Sequence, residues 1–245
     1  MRYFIKFSYK GTNYHGWQYQ PNVTSVQETL AKALSVVLNS ELEIMGAGRT
    51  DTGVHAKEMF GHFDFKNQIE IPTLIHKLNS FLPKDIAVSD VILVHDDAHA
   101  RFDATKRTYE YHINITKNVF LEELSWYYHQ KLDINLMNEA GKILLKHTDF
   151  QCFSKVHTDV NNFNCKIMEA YWKEEKNELV FTISADRFLR NMVRAIVGTL
   201  VYVGLGKINL QDFEAIIESK DRGKAGFSVP SHGLYLTEIQ YNYIN

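Results

Sequence analysis

Cysteine is scarce in this chain. Cys152 and Cys165 are the only two among 245 residues, and they lack metal-ligand spacing, so a reducing, cytoplasmic setting is expected. Four prolines are too few for disordered or Pro-rich tracts. No uninterrupted apolar run approaches the length that spans a bilayer. The opening Met1-Arg2-Tyr3-Phe4-Ile5-Lys6 is broken by charge too early for a signal peptide. An excess of positive charge is missing too: 27 Lys and Arg stand against 29 Asp and Glu, a formal net charge of −2. Composition alone therefore points away from nucleic acid unless the basic residues gather on one face. What remains, 45% hydrophobic and 23% charged, is ordinary for a soluble globular protein, and the length allows one large domain or two small ones.

The pattern along the chain is mixed. Tyr3, Ile5, Phe7 and Tyr9 alternate with Lys6 and Ser8 as a half-buried strand. Val26, Leu30, Ala33, Leu34, Val37 and Leu38 recur at helical spacing behind Ser25 and Glu28, a capping box. Strands are expected at 42–46, 58–65 and 86–95, with a helix from near Pro72 to before Pro83. The second half repeats this vocabulary. A strand through Tyr109, Tyr111, Ile113 and Ile115 leads to a helix at about 134–147, strands at 166–174 and 178–185, helices at about 187–203 and 210–219, and a last strand near 234–241. Strands joined by short turns and interleaved with helices predict an α+β fold, a mainly antiparallel sheet with helices on one face. Two similar halves, 1–104 and 105–245, would leave a cleft between them.

The densest chemistry lies in Gly46-Ala47-Gly48-Arg49-Thr50-Asp51-Thr52-Gly53-Val54-His55-Ala56. An arginine, a carboxylate and a histidine stand among three glycines, where a strand is expected to end. A scaffold-held loop of this kind presents charge to a ligand, and Arg49 would favour ionised Asp51 if the side chains converge. Three other readings compete. The stretch can be a plain turn in which Asp51 accepts from following N–H groups. It can be the Asp-Thr-Gly of an aspartic protease, which needs a second carboxylate that only a dimer could supply here. Or the chain is an RNA-binding module without catalysis.

Further groups carry charge and rings together. His99-Ala100-Arg101-Phe102-Asp103-Ala104-Thr105-Lys106-Arg107-Thr108-Tyr109 suits phosphate contact plus base stacking, or is a solvated loop entering a strand whose Tyr109 packs in the core. His95-Asp96-Asp97-Ala98-His99 looks like metal ligands but lacks a third partner motif, and no metal is expected. Arg187, Arg190 and Arg194 would fall together at the margin of a helix starting behind Asp186 as N-cap. Cations there oppose the helix dipole, which an arriving anion would relieve. Gly198 would let another backbone come close. Trp17, in Gly16-Trp17-Gln18-Tyr19-Gln20, either stacks on a base or simply packs.

Taken in order, GWQYQPN followed by SVQ, then GAGRTDTGVHA, HARFDATKRTYEY, NMVRAIVG and GLYL closely resemble the tRNA pseudouridine synthase A family over nearly the whole chain. The family's loop commonly has Ala where Thr52 stands. The resemblance implies the pseudouridine synthase fold. It makes Asp51 the catalytic aspartate, Tyr109 the ring that stacks on the target uracil and Arg194 the partner of the aspartate. Arg49, Arg101, Arg107, Arg187 and Arg190 would meet the RNA, with Lys106 beside them. It further implies isomerisation of uridine at positions 38, 39 and 40 of the tRNA anticodon stem and loop, a homodimer, and no metal or cofactor.

Overall fold

The computed structural model describes residues 1–156 and 161–244. The chain divides into two compact units: Met1–Thr105 together with Tyr235–Asn245, and Lys106–Leu234. The C-terminal strand thus returns to the first unit, and a single cut in the chain does not separate the two.

In the first unit β1 (Arg2–Tyr9) leads through a short turn to α1 (Val26–Leu38), β2 (Met45–Gly46), β3 (His55–Asp64), α2 (Ile71–Phe81) and β4 (Ile86–Val94). β1 pairs antiparallel with both β3 and β4. Ser25 Oγ accepts the Glu28 N–H at 3.3 Å and so caps α1. Val26, Leu30, Ala33 and Leu34 of α1 and Leu74 and Leu78 of α2 are buried. The odd residues of β1 share a face with Met59 and Phe63 of β3; there Tyr3 stacks on Phe63 and Phe7 on Trp17. The strand is more than half-buried, however. Phe4, on the opposite face, is fully enclosed by Phe60, Tyr241 and Tyr243.

The strand expected at 42–46 shrinks to Met45–Gly46. Side chains of α1 take over its hydrogen bonds: the Leu42 N–H donates to Ser35 Oγ, and the Ile44 carbonyl accepts from Gln27 Nε2. A backbone satisfied in this way has no need of a ladder.

In the second unit β5 (Ala104–Asn114), whose first two residues belong to the first, continues into β6 (Trp126–Tyr127), α3 (Ile134–Leu144), β7 (Ile167–Glu175), β8 (Glu178–Ala185), α4 (Met192–Gly204) and α5 (Leu210–Ser219). β5, β8 and β7 form antiparallel neighbours in that order. Asn138 of α3 clips the edge strand by bonding both the N–H and the carbonyl of Trp172. α4 is apolar nearly all round, the pattern of a helix inside a core. The final strand, β9 (Leu234–Tyr241), runs parallel to β3 at His55 and Ala56. β6 also lies parallel to β5, so the mainly antiparallel α+β architecture includes parallel pairs.

The helix expected from 187 begins only at Met192, and Asp186 is not its cap. Asn191 precedes it at φ 67°, a left-handed conformation that cannot continue a helix. Asp186 instead spends its carboxylate on the N–H groups of Lys166 and Arg187, at 2.8 and 2.7 Å. Arg187 and Arg190 therefore lie on a loop, and the three arginines do not share a helix face.

Candidate active site

The loop carrying Asp51 is pinned from below on both sides. β2 ends at Gly46, where a Cβ would come within 2.5 Å of the Trp17 ring. Trp17 is 1% exposed, so it packs. Its backbone N–H donates to the Thr50 carbonyl at 3.2 Å, while Thr50 Oγ1 shares a 2.8 Å hydrogen bond with the buried Tyr9 hydroxyl. On the other side the Val54 N–H donates to the Asp51 carbonyl at 3.1 Å and closes a tight turn. Gly53, at φ 78°, points its N–H to the Tyr14 carbonyl. The Tyr14 hydroxyl in turn donates to Asp85 at 2.7 Å; burial first, and then that carboxylate, push its pKa up. Asp51 is left partly exposed and Arg49 exposed on this braced turn.

His55 is buried, and its Nδ1 accepts the Gly11 N–H at 2.9 Å. An accepting Nδ1 leaves the proton of the neutral ring on Nε2. The imidazole thus ties the turn Gly11–Asn13 beneath the loop, with Tyr235 4.7 Å from its ring. Tyr14 and Asp85 carry no motif signal of this positioning role, Tyr9 reads from the sequence only as a strand residue, and Tyr235 only as part of GLYL.

On the second unit, Tyr109 stands on β5 opposite Ile183. It is half-buried, with its ring edge-on to Phe188 at 5.1 Å. Two residues earlier, Arg107 donates to the Asp186 carbonyl at 2.8 Å. Lys155 donates its N–H to the Arg190 carbonyl. Tyr109, Arg107, Arg187 and Arg190 are thereby gathered around the segment 186–191. Arg194, in the first turn of α4, is oriented by a neighbouring extended segment: its Nε–H donates to the Val229 carbonyl at 2.7 Å, and its own carbonyl accepts the Val229 N–H at 3.2 Å. That segment runs along α4 because Gly198 has no side chain; a Cβ there would lie 1.8 Å from the Phe227 carbonyl oxygen.

Arg101 belongs to the first unit, on its loop at the Asp64 end of β3. Neither cysteine is suited to nucleophilic chemistry: burial pushes both thiols up to about 12. His95 bonds Asp97, and His99 Nδ1 accepts backbone N–H groups. Among the described residues no cluster of three or more His, Cys, Asp or Glu is arranged to hold a metal, and no helix is long and apolar enough to cross a membrane.

Two units of α+β structure, one offering a braced carboxylate and the other an aromatic–arginine group, match a class of RNA-modifying enzymes. The family model described as tRNA pseudouridine synthase matches residues 6–103 and 142–242. The chain belongs to the tRNA pseudouridine synthase family and is an isomerase of that kind. It is 52% identical to the tRNA pseudouridine synthase A of Bacteroides fragilis over 242 residues, covering 98% of this chain and 96% of that protein. The protein of the same name in Parabacteroides distasonis is 51% identical over 98% of this chain and 96% of its own length. That of Thermoanaerobacter sp. is 40% identical over 97% and 98%. Family membership sets aside both the protease and the non-catalytic RNA-binding readings.

Proposed function

We propose that this enzyme converts uridine to pseudouridine at positions 38, 39 and 40 of the tRNA anticodon stem and loop, with Asp51 as the catalytic carboxylate. The observation that carries the reading is the braced Asp51 turn in a chain of this family. The reaction breaks the bond from the sugar carbon to the uracil nitrogen, turns the base, and rejoins the same sugar carbon to a ring carbon. It loses a proton from that ring carbon and returns one to the nitrogen, so no oxidant or energy source is consumed. A single carboxylate serves such a step by adding to the base or the sugar, or by stabilising the separated fragments. A fixed turn keeps it aimed without reorganisation.

The uridine must leave its stack, at a cost of a few kcal/mol. Stacking on Tyr109 offsets this by about 1–3 kcal/mol. Arg194 pairs with the Asp51 carboxylate and directs it. Arg49, Arg101, Arg107, Arg187 and Arg190 contact the RNA, so the missing positive net charge is a matter of distribution. The enzyme acts as a homodimer, in the cytoplasm where tRNA is found.

The test is single-turnover conversion of an unmodified tRNA transcript, with pseudouridine mapped by position. Asp51→Asn should abolish product while tRNA binding persists. Substantial conversion by Asp51→Asn would overturn the assignment.

A further inference from the structure

The loop at residues 98–103, at the far end of β3 from Asp51, is held by more bonds than a connection between strands needs. The Ala98 carbonyl accepts from Arg2 Nη1 at 3.0 Å, and Arg2 also grips Asp64 through its Nε and Nη2. The Ala100 N–H donates to His62 Nδ1, and its carbonyl accepts from the Tyr241 hydroxyl at 2.6 Å. His99 Nδ1 accepts from the N–H groups of Arg101 and Phe102, at 3.1 and 3.3 Å. Asp103 accepts from the His99 N–H and from the Tyr243 hydroxyl, both at 2.7 Å.

Ala98 and Ala100 are fully buried, yet the ring this framework holds, Phe102, is 74% exposed. The His99 imidazole packs against it, tilted, with 4.2 Å between ring centres, and the Arg101 guanidinium lies over the ring, 5.6 Å from its centre. A braced aromatic ring open to water, with a cation against it, is an arrangement that stacks a nucleobase and meets its phosphate once the long arginine side chain swings off the ring. Asp64 pairs with Arg2 and Asp103 accepts from two donors, which offsets part of the negative charge beside the platform.

We propose that Phe102 and Arg101 form a second RNA-binding site, taking an unstacked base and its phosphate from the tRNA body outside the anticodon stem and loop. The inference rests on the proposed tRNA activity. From His55 to Asp64, nine steps of about 3.3 Å put this platform about 30 Å along the strand from the Asp51 end. A short stem-loop with its target uridine at Asp51 does not extend that far, whereas a whole tRNA does.

The experiment compares wild type, Phe102→Ala and Phe102→Trp in equilibrium binding to a full-length tRNA transcript and to its isolated anticodon stem-loop. Sedimentation is run in parallel, and thermal melts check that each variant is folded. Losing the stack should raise Kd for full-length tRNA roughly 5- to 150-fold, the equivalent of about 1–3 kcal/mol. The stem-loop Kd should stay within about twofold, and Trp should restore full-length binding. Unchanged affinity for full-length tRNA overturns the proposal, and so does an equal loss on both RNAs. A shift of Phe102→Ala to a smaller species with unchanged affinity per chain also overturns it, and makes the ring a contact between copies. If wild type binds both RNAs but forms no pseudouridine, the proposed activity fails while the binding contrast is still read.

Discussion

The two ends of β3 are braced by the same means and present opposite things. At the His55 end, Tyr9 bonds the Thr50 hydroxyl while Trp17, Tyr14 and the His55 ring bond the backbone of neighbouring loops, and a carboxylate is left partly exposed. At the Asp64 end, His62, His99, Tyr241 and Arg2 do the same work and leave a phenyl ring exposed. In both places histidine acts as a neutral acceptor of backbone N–H groups. The difference lies only in the side chain displayed, which suits one end to chemistry and the other to stacking. A histidine inside a motif is therefore no proof of acid–base catalysis. The atom it bonds decides.

Acid should separate the two ends most strongly. His62 is pushed down to about 4, mainly by burial and then by the neighbouring His99 and Arg2. The unfolded chain binds its proton near pH 6.5 and the folded chain only near 4. The stabilisation is therefore complete above about 6.5 and is lost as pH falls from there to 4, by about 3 kcal/mol at most. Asp64 and Asp103, both lowered, lose their contribution only below about 4. Urea melts across pH 7.5 to 4 should show the first loss. His62→Asn, which keeps an acceptor near the Nδ1 position, should flatten it; an unaltered slope in that variant would assign the loss elsewhere.

Gly11→Ala strikes the other end. Its Cβ would fall 2.0 Å from the Val54 carbonyl oxygen, so the turn under Asp51 must move. A stability loss of about 1–3 kcal/mol is expected, with a fall in single-turnover rate that the Phe102 platform does not share. Gly48→Ala, with nothing within 4 Å, is the control and should melt within about 0.5 kcal/mol of wild type. Comparable losses in the two variants would mean that crowding under the loop is not the cause.

Removing the Tyr9 hydroxyl is gentler. Tyr9→Phe leaves Thr50 Oγ1 buried without that partner, at about 1 kcal/mol. The single-turnover rate should fall while tRNA affinity holds; weakened affinity at full rate would refute a role in aiming Asp51.

The smallest effect is electrostatic. Replacing Arg187 or Arg190 by Ala should lower the slope of log affinity against log salt by somewhat under one unit, without changing which uridine is chosen. Arg194→Ala should instead cut turnover far more than binding. A changed salt slope with an intact single-turnover rate would make Arg194 a phosphate contact.

Periodicity and caps made most elements legible in the sequence. α5 and β9 stand at 210–219 and 234–241 as the pattern dictates, because their signals are local: Asn209 with Asp212, and alternation from Leu234. The glycine-flanked Asp51 loop was legible for the same reason, since the residues that make it a loop lie within it. Non-local bonding was not. The strand at 42–46 failed because Ser35 and Gln27 satisfy its backbone from a helix. The helix at 187 failed because Asp186 bonds Lys166 across the β7–β8 pair. The bracing by Tyr9, Tyr14 and Asp85 joins residues 41 to 71 positions apart. Local chemistry is written in neighbouring letters, whereas the partner that holds a polar group in place is chosen by the tertiary fold, and only the structure names it.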